Sequence, residues 1–279
     1  MTVLKGKADW EDSVAMEKIS AEQIPAPMLH ALYARARESK REGGYLYDAK
    51  AIEIVERLDY DFEAEAGDIV MGNGAIARTI LLDKMVKEYV EAHPDARIVN
   101  IACGMDTRFY RVDNGVIQWY DLDLPEVAEV RRRLFGEQER VAMISKSVTE
   151  ETWTEDVESK GPVLFIVEEL SMYLDKERVE KIFKDISAHF KQAEVFMEVT
   201  APYTVKNAVQ KTEEGTVHKY TWGVKNGRQL QRLAAGFKAV KSVTLMEGLK
   251  EMYPVYRFLR YAPPLRRVAN KIIVLRQKQ

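Results

Sequence analysis

Cysteine is nearly absent. The 279 residues hold one, Cys103, so no internal disulfide can form, which suits a reducing compartment. Histidine is almost as scarce. His30, His93, His189 and His218 are dispersed without metal-ligand spacing, and no metal site is expected. No apolar run approaches the ~20 residues that a membrane-spanning helix requires. Met1-Thr2-Val3-Leu4-Lys5-Gly6-Lys7 runs into charged sequence without the apolar centre of a signal peptide. A cytoplasmic protein with no membrane partner is therefore expected. Excess charge of one sign is missing as well: 42 Lys and Arg face 44 Asp and Glu, for a net charge of −2. Nothing favours bulk binding to nucleic acid. Repeats and low-complexity tracts are also lacking.

What the chain does contain is an alternation. Residues 1–95 read as helical. Pro27–Arg37 has helical apolar spacing, Asp48 is placed to cap a second helix through Ala51, Ile54 and Leu58, and Ala75–Val90 forms a third that ends at Pro94. From Arg97 onward strands and helices alternate. Strands are expected at Ile98–Ala102, Val116–Tyr120, Val141–Ser145, Val163–Val167 and Glu194–Val199, with helices at Leu124–Leu134 and Lys176–Phe190 between them. This pattern predicts an α/β fold with a mainly parallel sheet covered by helices on both faces. Length allows one domain over 1–279, with its core at 96–200. Thr200–Gly227 is polar and aromatic, and reads as a lid or binding loop. Residues 201–279 close with a pair of strands at Gly236–Leu245 and Lys271–Leu275. Between these, Tyr253–Tyr261 mixes aromatic and basic residues, as either a partner surface or a helix against the sheet edge.

Chemistry concentrates at strand ends. Ile101-Ala102-Cys103-Gly104 turns a buried strand through small residues, so that a ligand can approach the backbone. The next strand carries Asp121 and Asp123, and a carboxylate there can accept hydrogen bonds from ribose hydroxyls. The two side chains are expected on opposite faces, so that only one meets a ligand; helix capping is the alternative role for either. Val163–Val167 ends in Glu168-Glu169. Ser145-Lys146-Ser147 follows another strand. Arg78, on a helix near Asp83 and Lys84, reads by itself as a solvated arginine. After the first strand only Gly104 stands where G-x-G-x-x-G requires three glycines, which argues against a nicotinamide-dependent oxidoreductase.

Together these segments resemble the leucine carboxyl methyltransferase family, in particular its bacterial branch of polyketide O-methyltransferases. The motifs that carry the resemblance are Leu32–Lys40, Ala77-Arg78-Thr79, Ala102–Arg108, Asp123–Val127, Lys146-Ser147 ahead of Trp153, and Glu168 with Met172-Tyr173-Leu174. The resemblance implies the class I methyltransferase (Rossmann-like) fold with an N-terminal helical extension, and S-adenosyl-L-methionine as cofactor. It implies that Arg78 pairs with the cofactor's carboxylate and that Ala102, Cys103 and Gly104 lie against its amino-acid portion. Asp123, followed by Leu124, would hold the ribose; Ser147 and Val148 would border the adenine. Glu168, with Glu169 and Tyr173, would sit by the methionine end. Ala102 and Glu169 stand where glycine is frequent in the family.

The expected reaction is methyl transfer to a carboxyl or hydroxyl oxygen of a small molecule or a peptide carboxyl terminus. A carboxylate acceptor needs no base, whereas a hydroxyl benefits from one; Glu168, Tyr173 and His218 are the candidates. A non-catalytic cofactor-binding protein on the same fold is the alternative.

Overall fold

The computed structural model describes residues 18–22, 24–62, 69–207, 209–211 and 217–278. Its centre is a seven-stranded sheet: β1 (Arg97–Ile101), β2 (Gln118–Asp123), β3 (Val141–Ser145), β4 (Val163–Val167), β5 (Ala193–Val199), β6 (Phe237–Thr244) and β7 (Lys271–Gln277). The spatial order is β3-β2-β1-β4-β5-β7-β6, and β7 runs antiparallel to both of its neighbours. The strands form because β-branched and aromatic residues alternate between two buried faces. Val163, Phe165 and Val167 enter one apolar core with helix α6 (Lys176–His189), while Leu164 and Ile166 enter the other. That second core is closed by α3 (Ile69–Ala92), whose Leu81, Leu82, Met85, Val86 and Tyr89 recur at helical spacing.

The N-terminal helices α1 (Ala26–Lys40) and α2 (Ala49–Arg57) pack against α5 (Pro125–Phe135), joining Leu29, Leu32 and Ile54 to Val127, Val130 and Leu134. Asp48 does cap α2, accepting from the Ala51 N–H at 2.9 Å. The short helix α4 (Phe109–Val112) follows the β1 turn.

Register places the functional edge. Ile101 lies level with Leu122 on β2 and with Val167 on β4, and Asp123 is level with Ser145. The residues that end these strands therefore share one rim. The strand order reverses at β1, between β2 and β4, which is where doubly wound sheets hold ligands.

Two expectations change. β2 extends to Asp123, so both acids lie within the strand. Thr200–Gly227 is not irregular throughout: it contains a helix at Pro202–Asn207 and a hairpin pairing Val209–Lys211 with Val217–Lys219. Its polar sequence hid that hairpin. Tyr253–Tyr261 holds a one-turn helix, Tyr256–Leu259, with Phe258 exposed. Met1–Lys7 lies outside the described residues.

Candidate active site

A cleft of about 310 Å³ opens at the rim between β1 and β4, within the size range of small-molecule sites. Ala102, Cys103, Gly104 and Asp106 form one wall, Glu168, Glu169, Leu170 and Tyr173 another, and Pro25, Met28 and Ala31 the roof. A larger surface cleft of about 420 Å³ lies across α3 and β6, lined by Lys84 and Lys241. It shares no lining residue with the cleft at the β1 turn.

The β1 turn is held in strained backbone. Ala102 has φ 53° and Gly104 φ 46°. A left-handed conformation costs a residue with a Cβ about 1–2 kcal/mol. A Cβ at Gly104 would meet Met28 Sδ at 3.0 Å, so that side chain would have to give way as well. The Gly104 N–H donates to Asp123 Oδ2 at 2.7 Å, and its carbonyl accepts from Arg131 at 2.8 Å. The Leu124 N–H donates to Asp123 Oδ1, and the Leu124 side chain is exposed. Burial pushes the Asp123 carboxyl up, opposed by these two N–H donors and Arg131. Burial likewise pushes the Cys103 thiol well up, which keeps it neutral.

Asp121 and Asp123 point to the same face, contrary to expectation. Residues two apart on a strand share a face, and both acids meet groups that surround Gly104. Asp121 is the structural member: it accepts from Arg131 at 2.6 Å and from Trp119 Nε1 at 2.8 Å.

Arg78 is not solvated. It is 6 % exposed, as is Asp83, because it extends the α3 stripe of Leu81, Leu82 and Met85 by one turn. That spacing was the available sequence signal. Its Nη1 lies 2.6 Å from Glu169, and its Nε lies 3.5 Å from Glu168 and 3.4 Å from Glu198. Nε is buried and makes no hydrogen bond. Despite burial, the three carboxylates hold the Arg78 charge firmly.

Sequence reasoning missed several partners. Glu198 on β5 is fully buried; it accepts from the Glu169 N–H at 3.1 Å and from Asn270 at 2.9 Å. Arg108, 1 % exposed, links Glu168, Asp83 and Asp106 at 2.6–2.9 Å. Although its surroundings are largely desolvated, Asp106 is held down to about 2 by Arg108, Arg111 and Arg35. Arg111 and Arg35 extend the chain of ion pairs to Asp48. An acid within an apolar strand, Phe196-Met197-Glu198-Val199, was the only hint for Glu198.

Glu169 has φ 49° and a side chain 43 % exposed to the cleft. Burial of its inner part and the neighbouring Glu198 and Glu168 push its carboxyl up to about 7, against the pull of Arg78. Tyr173 meets Tyr220 edge to face at 5.4 Å, and burial raises both phenols. Thr221 anchors that loop to the carbonyls of Met172 and Leu174. Ser147 closes a turn with Thr149 and Glu150, while Val148 packs into the core with Trp153. Neither lines the cleft. The His218 side chain lies outside the described residues. Among the described residues, no cluster of His, Cys, Asp and Glu could hold a metal, and no helix is long and apolar enough to cross a membrane.

The strand order, the antiparallel β7 and the cleft at the β1 turn define a class I methyltransferase fold. Two solved structures share it: a Thermobifida fusca YX protein described as a methyltransferase (TM-score 0.56, 13% identity, 88% of this chain and 94% of that one) and the plantazolicin methyltransferase BamL with S-adenosylhomocysteine (TM-score 0.52, 11% identity, 91% and 97%). The chain belongs to the leucine carboxyl methyltransferase family, whose model matches residues 26–187. It is similar to the tetracenomycin polyketide synthesis O-methyltransferase TcmP of Streptomyces glaucescens, 29% identical over 90% of this chain and 96% of that protein. The S-adenosyl-L-methionine-dependent methyltransferase dpfgK of Gibberella zeae is 25% identical over 79% and 82%. The chain is thus an S-adenosylmethionine-dependent methyltransferase.

Proposed function

We propose that this enzyme methylates an oxygen, carboxyl or hydroxyl, of a polyketide-like small molecule. A buried guanidinium with an unused Nε donor at the strand switch point carries the reading. Such a group suits the carboxylate of an amino acid. The residues fit the cofactor accordingly. Arg78 would hold its carboxylate, and Glu168 its ammonium. The Ala102–Gly104 backbone would lie along the amino-acid portion, where a left-handed turn brings peptide groups close. Asp123, already oriented by Gly104 and Leu124, would take the ribose hydroxyls, and the adenine would reach beyond the cleft toward Ser147 and Val148, which do not line it. Bound there, the cofactor supplies an activated methyl group. The protein's own task is to align the acceptor oxygen and exclude water.

The acceptor wall is apolar and aromatic: Pro25, Pro27, Met28, Leu170 and Tyr173. It suits a flat, weakly polar molecule, and the similarity to TcmP supports the polyketide class. A peptide carboxyl terminus is the second reading, favoured by the family's description. Methyl transfer from labelled S-adenosylmethionine to aromatic polyketide acids, polyketide phenols and a leucine-ended peptide separates these readings. Turnover of the peptide alone overturns the proposal. Cofactor binding without turnover of any acceptor points to a non-catalytic binding protein.

A further inference from the structure

Three carboxylates crowd one end of the cleft. Glu168, Glu169 and Glu198 all approach Arg78. A second cation, Arg108, reaches Glu168 at 2.9 Å, but it is also engaged by Asp83 and Asp106. The group is therefore short of positive charge. Its members differ in freedom. Glu198 is fully buried and fixed by Asn270 and by the Glu169 N–H. Glu168 is clamped by Arg108. Glu169 has the most open side chain of the three, at 43 % exposure against 22 % for Glu168, and among the described residues its ion-pair contact is Arg78 Nη1 at 2.6 Å.

A guanidinium grips a carboxylate bidentately through a pair of adjacent N–H groups. On Arg78, Nη1 is held by Glu169, and Nε is flanked by Glu168 and Glu198. An incoming carboxylate therefore meets one already in place.

We propose that Glu169 is a built-in competitor for the cofactor's carboxylate: it occupies Arg78 until binding turns it out into the cleft. This rests on the assignment of Arg78 to that carboxylate. It makes cofactor affinity a property of the Glu169 side chain, and makes cofactor binding the event that turns Glu169 toward the acceptor. The groups that face Glu169 are Arg78 from α3, Glu198 from β5, the adjacent Glu168, and the phenols of Tyr173 and Tyr220. Protonation of Glu169 also releases Arg78, so the competition grows as pH rises through neutrality.

Calorimetric titration with S-adenosylmethionine, and separately with adenosine, tests this. Glu169→Gln should bind S-adenosylmethionine about tenfold more tightly at pH 8, the scale of one freed charge-assisted hydrogen bond, and the gain should shrink at pH 6. Adenosine lacks the carboxylate, so its affinity should not change. Glu169→Gly, which also suits the left-handed backbone, should act in the same direction and guards against misfolding of one variant. In an Arg78→Ala background the gain should vanish. Unchanged or weaker S-adenosylmethionine binding by both Glu169 variants, with Arg78→Ala weakening it, overturns the competition and leaves the Arg78 assignment standing. Undiminished binding by Arg78→Ala overturns both.

Discussion

The Gly104 N–H donates to Asp123 Oδ2 at 2.7 Å, which ties the turn after β1 to the carboxylate that ends β2. One bond thus fixes two walls of the proposed ribose position. Asp123→Ala removes both the orienting acceptor and the charge. S-Adenosylmethionine binding should weaken about 10- to 100-fold, the range for a hydrogen bond to a charged group. Asp123→Asn keeps an acceptor oxygen for Gly104 and should lose less. Equal losses in the two variants, measured by calorimetry, would place the effect in the charge rather than the turn.

The buried ion pairs should matter more to stability than any on the surface. Asp83 receives both Arg108 and Arg111, all three nearly inaccessible. Asp83→Ala takes one shared carboxylate from two buried cations, which keep Glu168, Asp106 and Asp48, and should cost about 3 kcal/mol in urea unfolding. Lys40 and Glu56 form an exposed pair, and Glu56→Ala should cost less than about 1 kcal/mol. Comparable losses would remove the network from the account of stability.

Ala102 has φ 53°, and glycine adopts this conformation without strain. Ala102→Gly should stabilise the fold by about 1 kcal/mol, set by relief of the left-handed penalty against greater freedom of the unfolded chain. A rise of about 2 °C in melting temperature is expected. A fall would show that the Ala102 methyl contributes packing that outweighs its strain.

Acid and base limits follow from opposite shifts. Asp106 is held below its ordinary 3.8, at about 2. Its contribution to stability is complete above 3.8 and is lost as pH falls toward 2. Glu169 is raised from 4.5 to about 7, so its contribution is complete below 4.5 and is lost as pH rises through 7. Its exposure to the cleft tempers the size of this effect. The melting temperature of Glu169→Gln should gain on the parent between pH 5 and pH 8. A constant difference across that interval would remove Glu169 from the titration.

Much of the core was legible in the sequence because its signals are local. Val163–Val167 is an apolar run bounded by polar residues, and it forms β4 as expected. The Ala102–Gly104 turn was readable from small residues after a β-branched strand. Asp48 was readable as a cap. The ion-pair network was not, since Arg108 reaches Glu168 across 60 positions and Arg35 reaches Asp48 from another helix. Such pairs leave no periodic trace. Arg78 was misread because its charge concealed its place on the α3 stripe. The two β2 acids were misassigned because their strand runs through Asp123 and residues two apart share a face.

A crystal structure with S-adenosylhomocysteine bound tests the site most directly. The expected result is the ribose against Asp123, the amino-acid end along Ala102–Gly104 with its carboxylate on Arg78, and Glu169 turned away from that arginine. A ligand seated in the cleft across α3 and β6, or one that leaves both Arg78 and Asp123 untouched, would contradict the assignment.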